Sequence, residues 1–488
     1  MTAISKIRNI AIIGAGPAGL AAAKYLLAEK SFDKIDVFEQ RSTPGGTWNY
    51  SPGTDKIGAT TPVPQLDPRQ PVEEPIWHQK RNSKEGQEAT FLSPLYERLE
   101  TNIPKDLMQF SDKPFPADSQ LFPTFRTVTE YLHEYADDIR ELIHFETQVL
   151  DVTTGPGNSW ILTRKELQNG RVETDPYDAV VVASGHYNVP YVPAIEGIEA
   201  WNLAYPGVIS HSKFYDSPEA FRGEKVIVVG NSASGIDIGT QIASVCKGPL
   251  LASSRSESYL SPGPAADRIE YPEIVEFLSP SAHERAVRFK DGRIEDGIDA
   301  IVFCTGYLYS FPFLSSLQPP VIRDGSRTLN IYQQLFYIEN PTLVFPTLPQ
   351  KVIPFPLSEN QAAVFARVFS GKLTLPSKAE MKAWEESVVA EKGDGKAFHV
   401  LPFPKDAEYL NFLYDWARKA RTESELGTEG KGKLGTRWGE KEMWMRDRFP
   451  EIKKAFQSKG EERRSIRTLE EIGFDFDAWK KEHENNGP

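Results

Sequence analysis

The chain has 488 residues, 40% of them hydrophobic and 11% aromatic, which suits a large buried core and about three domains at ~150 residues each. A net charge of −12 argues against a general nucleic-acid binder, which needs a basic surface. No run reaches the roughly 18 apolar residues of a membrane span, and Cys246 and Cys304 form no C-x-x-C pair, which excludes a dithiol reductase.

The N-terminus enters a strand, Ile7 to Ile13, with no secretory leader before it, so a cytoplasmic location with both thiols reduced is expected. The apolar run Ile10-Ala11-Ile12-Ile13 delivers the chain to Gly14-Ala15-Gly16-Pro17-Ala18-Gly19. Glycines there permit positive φ and let the backbone approach a pyrophosphate, while the following helix, Leu20 to Leu27, aims free N–H groups at it. Twenty residues past Gly19, the strand Ile35 to Phe38 ends in Glu39. An acid at that place accepts hydrogen bonds from a ribose diol, as in an FAD or NAD site. Next comes a turn-rich segment, Ser51 to Thr90, long enough to be a functional cover or an insertion. Helical periodicity returns at Val128 to Ile143, followed by β runs at Thr147 to Val152 and Ser159 to Thr163. Tyr177 to Gly185 is a buried strand ending in small residues, as parallel strands do beside a nucleotide.

The pattern then restarts. Val226-Ile227-Val228-Val229 leads into Gly230-Asn231-Ser232-Ala233-Ser234-Gly235, and twenty residues past Gly235, after Pro249 to Ser253 and Ser254, stands Arg255. A cation there suits a 2′-phosphate, as in an NADP site. A single such glycine pattern is often only a tight turn; two in order, ending in opposite charges, are far less so. The unit closes with Asp299 to Tyr307, which resembles Asp178 to His186; the pair bracket the second unit as crossings between two domains. The expected fold is therefore α/β, glutathione-reductase-like, with two Rossmann-like dinucleotide-binding domains: an FAD domain, 1–204 plus 326–488, and an inserted NADPH domain, 205–325. Ser358 and Gln361 have the spacing of a capping box at the start of an apolar helix. The remainder, 376–488, reads as charged, Trp-containing helices whose role is packing, with room for a homodimer interface. Eight histidines lack metal-ligand spacing, so no metal is expected.

Tyr205-Pro206-Gly207-Val208-Ile209-Ser210-His211-Ser212-Lys213-Phe214-Tyr215 resembles the F-x-G-x-x-x-H-x-x-x-(F/W/Y) signature of class B flavoprotein monooxygenases, with Tyr in place of the leading Phe. Its ending, Tyr215-Asp216, is similar to the flavin-containing monooxygenase branch more than to the Baeyer–Villiger branch. Phe303-Cys304-Thr305-Gly306-Tyr307 resembles the family's F-A-T-G-Y run, and Leu99 to Met108 its L-x-T-N-x-P-K-x-x-M segment. Glu39-Gln40 through Gly45-Gly46-Thr47-Trp48 resembles its flavin-side stretch. The resemblance covers roughly 1 to 370, and soluble fungal and plant-like members are the most similar.

The resemblance implies an NADPH- and O2-dependent enzyme that oxygenates a small-molecule amine, thiol or thioether through a C4a-hydroperoxyflavin. A Baeyer–Villiger enzyme acting on ketones and an uncoupled NADPH oxidase are the alternatives. The cofactors carry the hard steps, so no catalytic triad is expected. By position, Asn102 faces the flavin C4a oxygens or the nicotinamide; taken alone it is a turn residue before Pro104. The implied FAD set is Gly14, Gly16, Pro17, Ala18, Gly19, Glu39, Gln40, Gly46, Thr47, Trp48, Thr101, Asn102, Val149, Ser358 and Gln361. Trp48 either stacks near the flavin or fills the core, and the helix at Ser358 would turn its N-terminus to the flavin by analogy of fold alone. The implied NADP set is Tyr205, His211, Ser212, Gly230, Ser232, Ala233, Ser234, Gly235, Ser254, Arg255, Thr305, Gly306 and Tyr307. His211 is either an acid or, the favoured reading, a linker between the two domains.

Overall fold

The computed structural model describes residues 6–56, 61, 63, 65–70, 72–79, 86–256, 266–421 and 431–485. A seven-stranded sheet runs in the order Ile331–Tyr332, Phe336–Tyr337, Leu343–Val344, Ala179–Val182, Asn9–Ile13, Lys34–Phe38, Ile143–His144. From Leu343–Val344 onward every neighbouring pair is parallel. Strand alternation divides the strand Asn9–Ile13 between two cores. Ile10 and Ile12 pack with the helices Pro17–Glu29 and Pro354–Phe369. Ala11 and Ile13 pack with an antiparallel sheet, Thr147–Thr154, Trp160–Glu166 and Val172–Tyr177, through Val149, Val152, Trp160 and Leu162. Both faces are covered, which is why the strand reads as a continuous apolar run.

The second sheet is five-stranded and wholly parallel: Ile209–His211, Ala300–Phe303, Val226–Val229, Leu250–Ser253, Arg268–Tyr271. The same alternation sends Ile227 and Leu251 to one core and Val226, Val228 and Leu250 to the other. Between the two sheets, Val189–Pro190 pairs antiparallel with Tyr307–Leu308, so the outgoing and returning chains are hydrogen-bonded to each other. Core membership moves both limits of the second unit earlier in the chain than 205 and 325. Val192, Ile198 and Trp201 already pack with Ile209 and Ile227, because the helix Ile198–Ala204 lies on the second sheet. Tyr309, Phe311, Phe313 and Leu314 have returned to the core of Phe38 and Val149.

Three local expectations change. The helical run expected over Val128 to Ile143 is an α-helix, Phe125–Tyr135, capped by the Thr124 hydroxyl, followed by a 3-10 helix, Asp137–Leu142, and Ile143 is already a strand paired with Val37. The expected capping box at Ser358 is not a cap: the helix begins at Pro354, with Ile353 at its N-cap. Proline fits the first turn because its missing N–H has no helical partner there, and Ser358 instead donates its hydroxyl to the Phe355 carbonyl (2.7 Å) within the helix. In the 51–90 segment the described residues include a hairpin, Ile76–Gln79 with Gln87–Thr90. Gln65 from this segment accepts from Val192 N (2.6 Å) and donates to the Pro190 carbonyl (2.9 Å), docking it on a crossing strand.

The C-terminal stretch wraps the first unit. Leu410, Trp438, Trp444, Ile452 and Phe456 share a core with Leu107, Leu121 and Phe122, immediately beyond Asn102. The helix Lys378–Lys392 carries a true capping box, Ser377 with Glu380. Among the described residues no helix is long and apolar enough to cross a membrane.

Candidate active site

The first fingerprint turns as its glycines require. Gly14 has φ +102°, and a Cβ there would lie 2.6 Å from the Ala183 carbonyl oxygen. A Cβ on Gly19 would lie 1.9 Å from the Gly14 carbonyl oxygen, so the helix meets the strand only because both lack side chains. Gly14 N–H donates to the Phe38 carbonyl (2.8 Å), which sets the turn at the edge of the next strand. Gly16 is the helix N-cap, with Pro17 at the first position and no side chain capping the free N–H groups near Ala18. A second loop closes over this turn: Gly45 N–H donates to the Ala15 carbonyl (2.9 Å), and a Cβ on Gly46 would lie 2.9 Å from Gly16 Cα.

Glu39 is buried beneath the turn. Its Oε2 accepts from Ala15 N–H (2.8 Å) and its Oε1 from Arg41 N–H (2.9 Å). Burial pushes its pKa up, opposed by those two backbone bonds. Gln40 accepts from Gln148 Nε2 (3.2 Å). Two hydroxyl oxygens beside this cradle, Thr47 Oγ1 and Ser184 Oγ, are buried without a partner among the described residues. Orphaned donors beside a glycine turn and an uncapped helix fit the diphosphate and ribose of FAD.

The remaining flavin-side residues separate into two groups. Trp48 meets Phe355 edge-on, ring centroids 6.3 Å apart, and its carbonyl accepts from Thr129 (2.6 Å), so its described contacts are packing contacts. Thr101 is buried, its hydroxyl donating to the Ile103 carbonyl (2.9 Å). Asn102 is half-buried on that turn, and its side chain forms no hydrogen bond among the described residues. Val149 lies in the core under the sheet. Gln361 accepts from Thr347 N–H (2.7 Å), serving the loop that leads into the Pro354 helix, and both it and Ser358 are fully buried.

The second fingerprint repeats the first. Gly230 has φ +110°, its Cβ would meet the Cys304 carbonyl oxygen at 2.6 Å, and a Cβ on Gly235 would meet the Gly230 carbonyl oxygen at 1.9 Å. Gly230 N–H donates to the Ser253 carbonyl (2.8 Å). Ser232 is the N-cap of the helix Ala233–Ala243 without a capping bond, and Ser232 and Ser234 are exposed. Ser254 follows the next strand, its N–H donating to Tyr271 (3.0 Å). Arg255 has a 73% exposed side chain, paired with Glu273 (3.1 Å).

His211, Ser212, Thr305, Gly306 and Tyr307 meet at the crossing. His211 is fully buried; its Nε2 lies 3.0 Å from the Gly306 carbonyl and its Nδ1 accepts from Lys213 N–H (3.1 Å). Burial pushes its pKa down to about 3, which keeps the ring neutral with Nε2–H as donor. Ser212 N–H donates to the Phe303 carbonyl (2.9 Å), Thr305 Oγ1 donates to the Tyr191 carbonyl, and Tyr307 packs edge-on against His211 (5.2 Å). Tyr205 stands apart on the second unit, its hydroxyl donating to the His283 carbonyl (3.3 Å). Cys304 is buried, its thiol pushed up to about 12 and so unreactive. Among the described residues no group of ligating side chains could hold a metal.

Two lysines from the C-terminal stretch also reach these segments. Lys396 donates to the Thr305 carbonyl (3.2 Å) and Lys453 to the Thr101 carbonyl (2.7 Å). No local signal marks either one: each is a lysine in a charged helical stretch.

The flavin-binding monooxygenase-like family matches residues 74–267 and 271–418, and an NAD(P)-binding Rossmann-like domain matches 12–59. Flavin-containing monooxygenase iboF of Amanita muscaria is 30% identical over 481 residues, covering 85% of this chain and 88% of that protein. The thiol-specific monooxygenase of Saccharomyces cerevisiae is 34% identical over 426 residues, covering 84% of this chain and 85% of its own. The solved structure of S-allyl-L-cysteine S-oxygenase from Allium sativum superposes with a TM-score of 0.73 at 28% identity, covering 98% of this chain and 99% of that one. The chain belongs to the flavin-binding monooxygenase-like family and is an NADPH-dependent flavin-containing monooxygenase that uses FAD.

Proposed function

We propose that this enzyme transfers one oxygen atom of O2 to a soft sulfur or nitrogen atom of a small molecule, a thiol, thioether or amine. The observation that carries the sulfur half is the pair of long matches to proteins named for thiols and for a thioether, over 84% and 98% of this chain. Bound FAD supplies the oxygen activation at its C4a position. The chain's own residues bind and orient. Glu39 accepts from the FAD ribose, and the Gly14 to Gly19 turn with Gly46 holds the diphosphate. Arg255 and Ser254 read the 2′-phosphate of NADPH, while the Gly230 to Gly235 turn holds its diphosphate. Asn102 offers its free amide to the flavin and nicotinamide side of the cleft.

His211, neutral and bonded on both nitrogens, is the wedge that fixes the crossing, not a proton donor. That crossing sets the distance between the two nucleotide turns, and so how well water is kept from the reacting atoms. A cytoplasmic enzyme, active with or without a homodimer interface, fits this reading.

The test is NADPH consumption by the holoenzyme against thiols, thioethers, amines and ketones, with product identification. Sulfoxides, oxidised thiols or N-oxides in step with NADPH support the reading. Esters from ketones alone identify a Baeyer–Villiger enzyme, and peroxide with every compound identifies an oxidase.

A further inference from the structure

Lys453 sits where a lysine is costly. It lies on the helix Phe449–Ser458, is 9% exposed, and its ammonium rests over the rings of Phe122 (4.4 Å) and Phe456 (5.6 Å). An apolar side chain would pack there at lower cost, because a buried ammonium loses its hydration. The structure shows what the charge gains in exchange. Its Nζ donates to the carbonyl of Thr101, the residue before Asn102, at 2.7 Å across a sequence separation of 352. It also feels the attraction of Asp237 and Glu100. Asp237 lies on the helix Ala233–Ala243, which begins at the second fingerprint; Tyr96 donates to it, and so does Gln241 (3.2 Å).

We propose that Lys453 is a positioning residue: by holding the Thr101 carbonyl it fixes the direction of the Asn102 side chain. The proposal rests on the reading of Asn102 given above. It assigns a function to the helix Phe449–Ser458 beyond covering the first unit.

The charge is also pH-sensitive. Burial pushes the ammonium down to about 8; Asp237 and Glu100 oppose that shift, and Arg463, itself paired with Glu100 (3.1 Å), adds to it. Below about pH 8 the bond to Thr101 is charge-assisted; above it the amine is neutral and the grip weakens. Arginine stays charged throughout.

The experiment uses the FAD-loaded enzyme with NADPH and O2 and no substrate, so it needs no knowledge of the substrate. Peroxide release is the first readout, and the shift of the visible flavin band on adding NADP is the second. Lys453→Met is expected to raise peroxide release about tenfold, short of the roughly 10²-fold that a full 1 Å misplacement can cost, and to alter the band shift. Wild-type release is expected to climb as pH rises through about 8, and Lys453→Arg to remove that climb. In an Asn102→Ala background, Lys453→Met is expected to add nothing further.

A lowered Tm with wild-type peroxide release and band shift would make Lys453 a packing residue and overturn the proposal. So would additive effects in the Asn102→Ala background. Where Lys453→Met gives no folded protein, Lys453→Arg decides, and a pH climb unchanged from wild type overturns the proposal. A leaky Asn102→Ala beside a tight Lys453→Met defeats the proposal alone. An Asn102→Ala enzyme identical to wild type defeats the reading of Asn102 and the proposal together.

Discussion

The two fingerprints have the same backbone and opposite surroundings. In both, the first glycine faces a carbonyl 2.6 Å from its missing Cβ, the last faces one at 1.9 Å, and the turn N–H donates to the neighbouring strand at 2.8 Å. Yet Gly16 is roofed by Gly46, whereas Ser232 and Ser234 are exposed. Glu39 is 4% exposed and bonded by two backbone N–H groups, whereas the Arg255 side chain is 73% exposed and paired, among the described residues, with Glu273. The helix after the first turn is buried along most of its length, through Leu20, Ala21, Ala22, Tyr25 and Leu26; the second buries only Gly235, Ile238, Gly239 and Ile242. On the function proposed above, one geometry serves two tasks: a closed seat for FAD and an open one for NADPH.

The largest expected effect breaks both turns. Gly19→Ala and Gly235→Ala each force a methyl against a backbone carbonyl, costing about 4 kcal/mol or more if the helix cannot shift. The surroundings predict different outcomes. Gly19→Ala is expected to abolish FAD retention and folding, read as loss of bound flavin and of a cooperative melt. Gly235→Ala is expected to keep FAD and lose NADPH binding. Equal loss of FAD in both would end the comparison.

Next is Arg255→Ala, expected to raise the Michaelis constant for NADPH by about 1–2 kcal/mol, roughly 5- to 30-fold, after discounting for exposure, and to leave that for NADH nearly unchanged. An equal rise for both would remove Arg255 as the phosphate reader.

A pH effect belongs to the buried side only. Glu359, fully buried and accepting from Tyr25 of the first helix (3.1 Å) and from Ser111 N–H (2.8 Å), is pushed up to about 7 by burial. A carboxyl raised above its unfolded value of 4.5 binds its proton more tightly in the folded protein, so its stabilising contribution is full below 4.5 and lost as pH rises through about 7. Chemical denaturation between pH 5 and 8 is expected to show that loss in wild type and a flatter profile in Glu359→Gln. The smallest effect is Glu273→Gln, which weakens the hold on Arg255 by its half-buried partner and is expected to tighten NADPH binding by no more than about threefold.

Much of this was legible in the sequence because its signals are local. The turn glycines, the strand alternation at Ile10 to Ile13, and the acid and base twenty residues on all lie within a few elements of one another. The start of the Pro354 helix was misplaced because Ser358 and Gln361 imitate a capping box, while Pro354 and Pro356 carried the better signal. The limits of the second unit shifted because Trp201 and Tyr309 choose their cores by tertiary packing. Lys453 and Lys396 could not be found: each meets its carbonyl across a separation, 352 and 91 residues, that no periodicity reports.

The most direct test is a single turnover of the FAD-loaded enzyme with NADPH, 18O2 and a thioether or amine that it consumes. The account predicts one 18O atom in the S- or N-oxide for each NADPH oxidised and little peroxide. Unlabelled product, or labelled peroxide in place of labelled oxide, would contradict it.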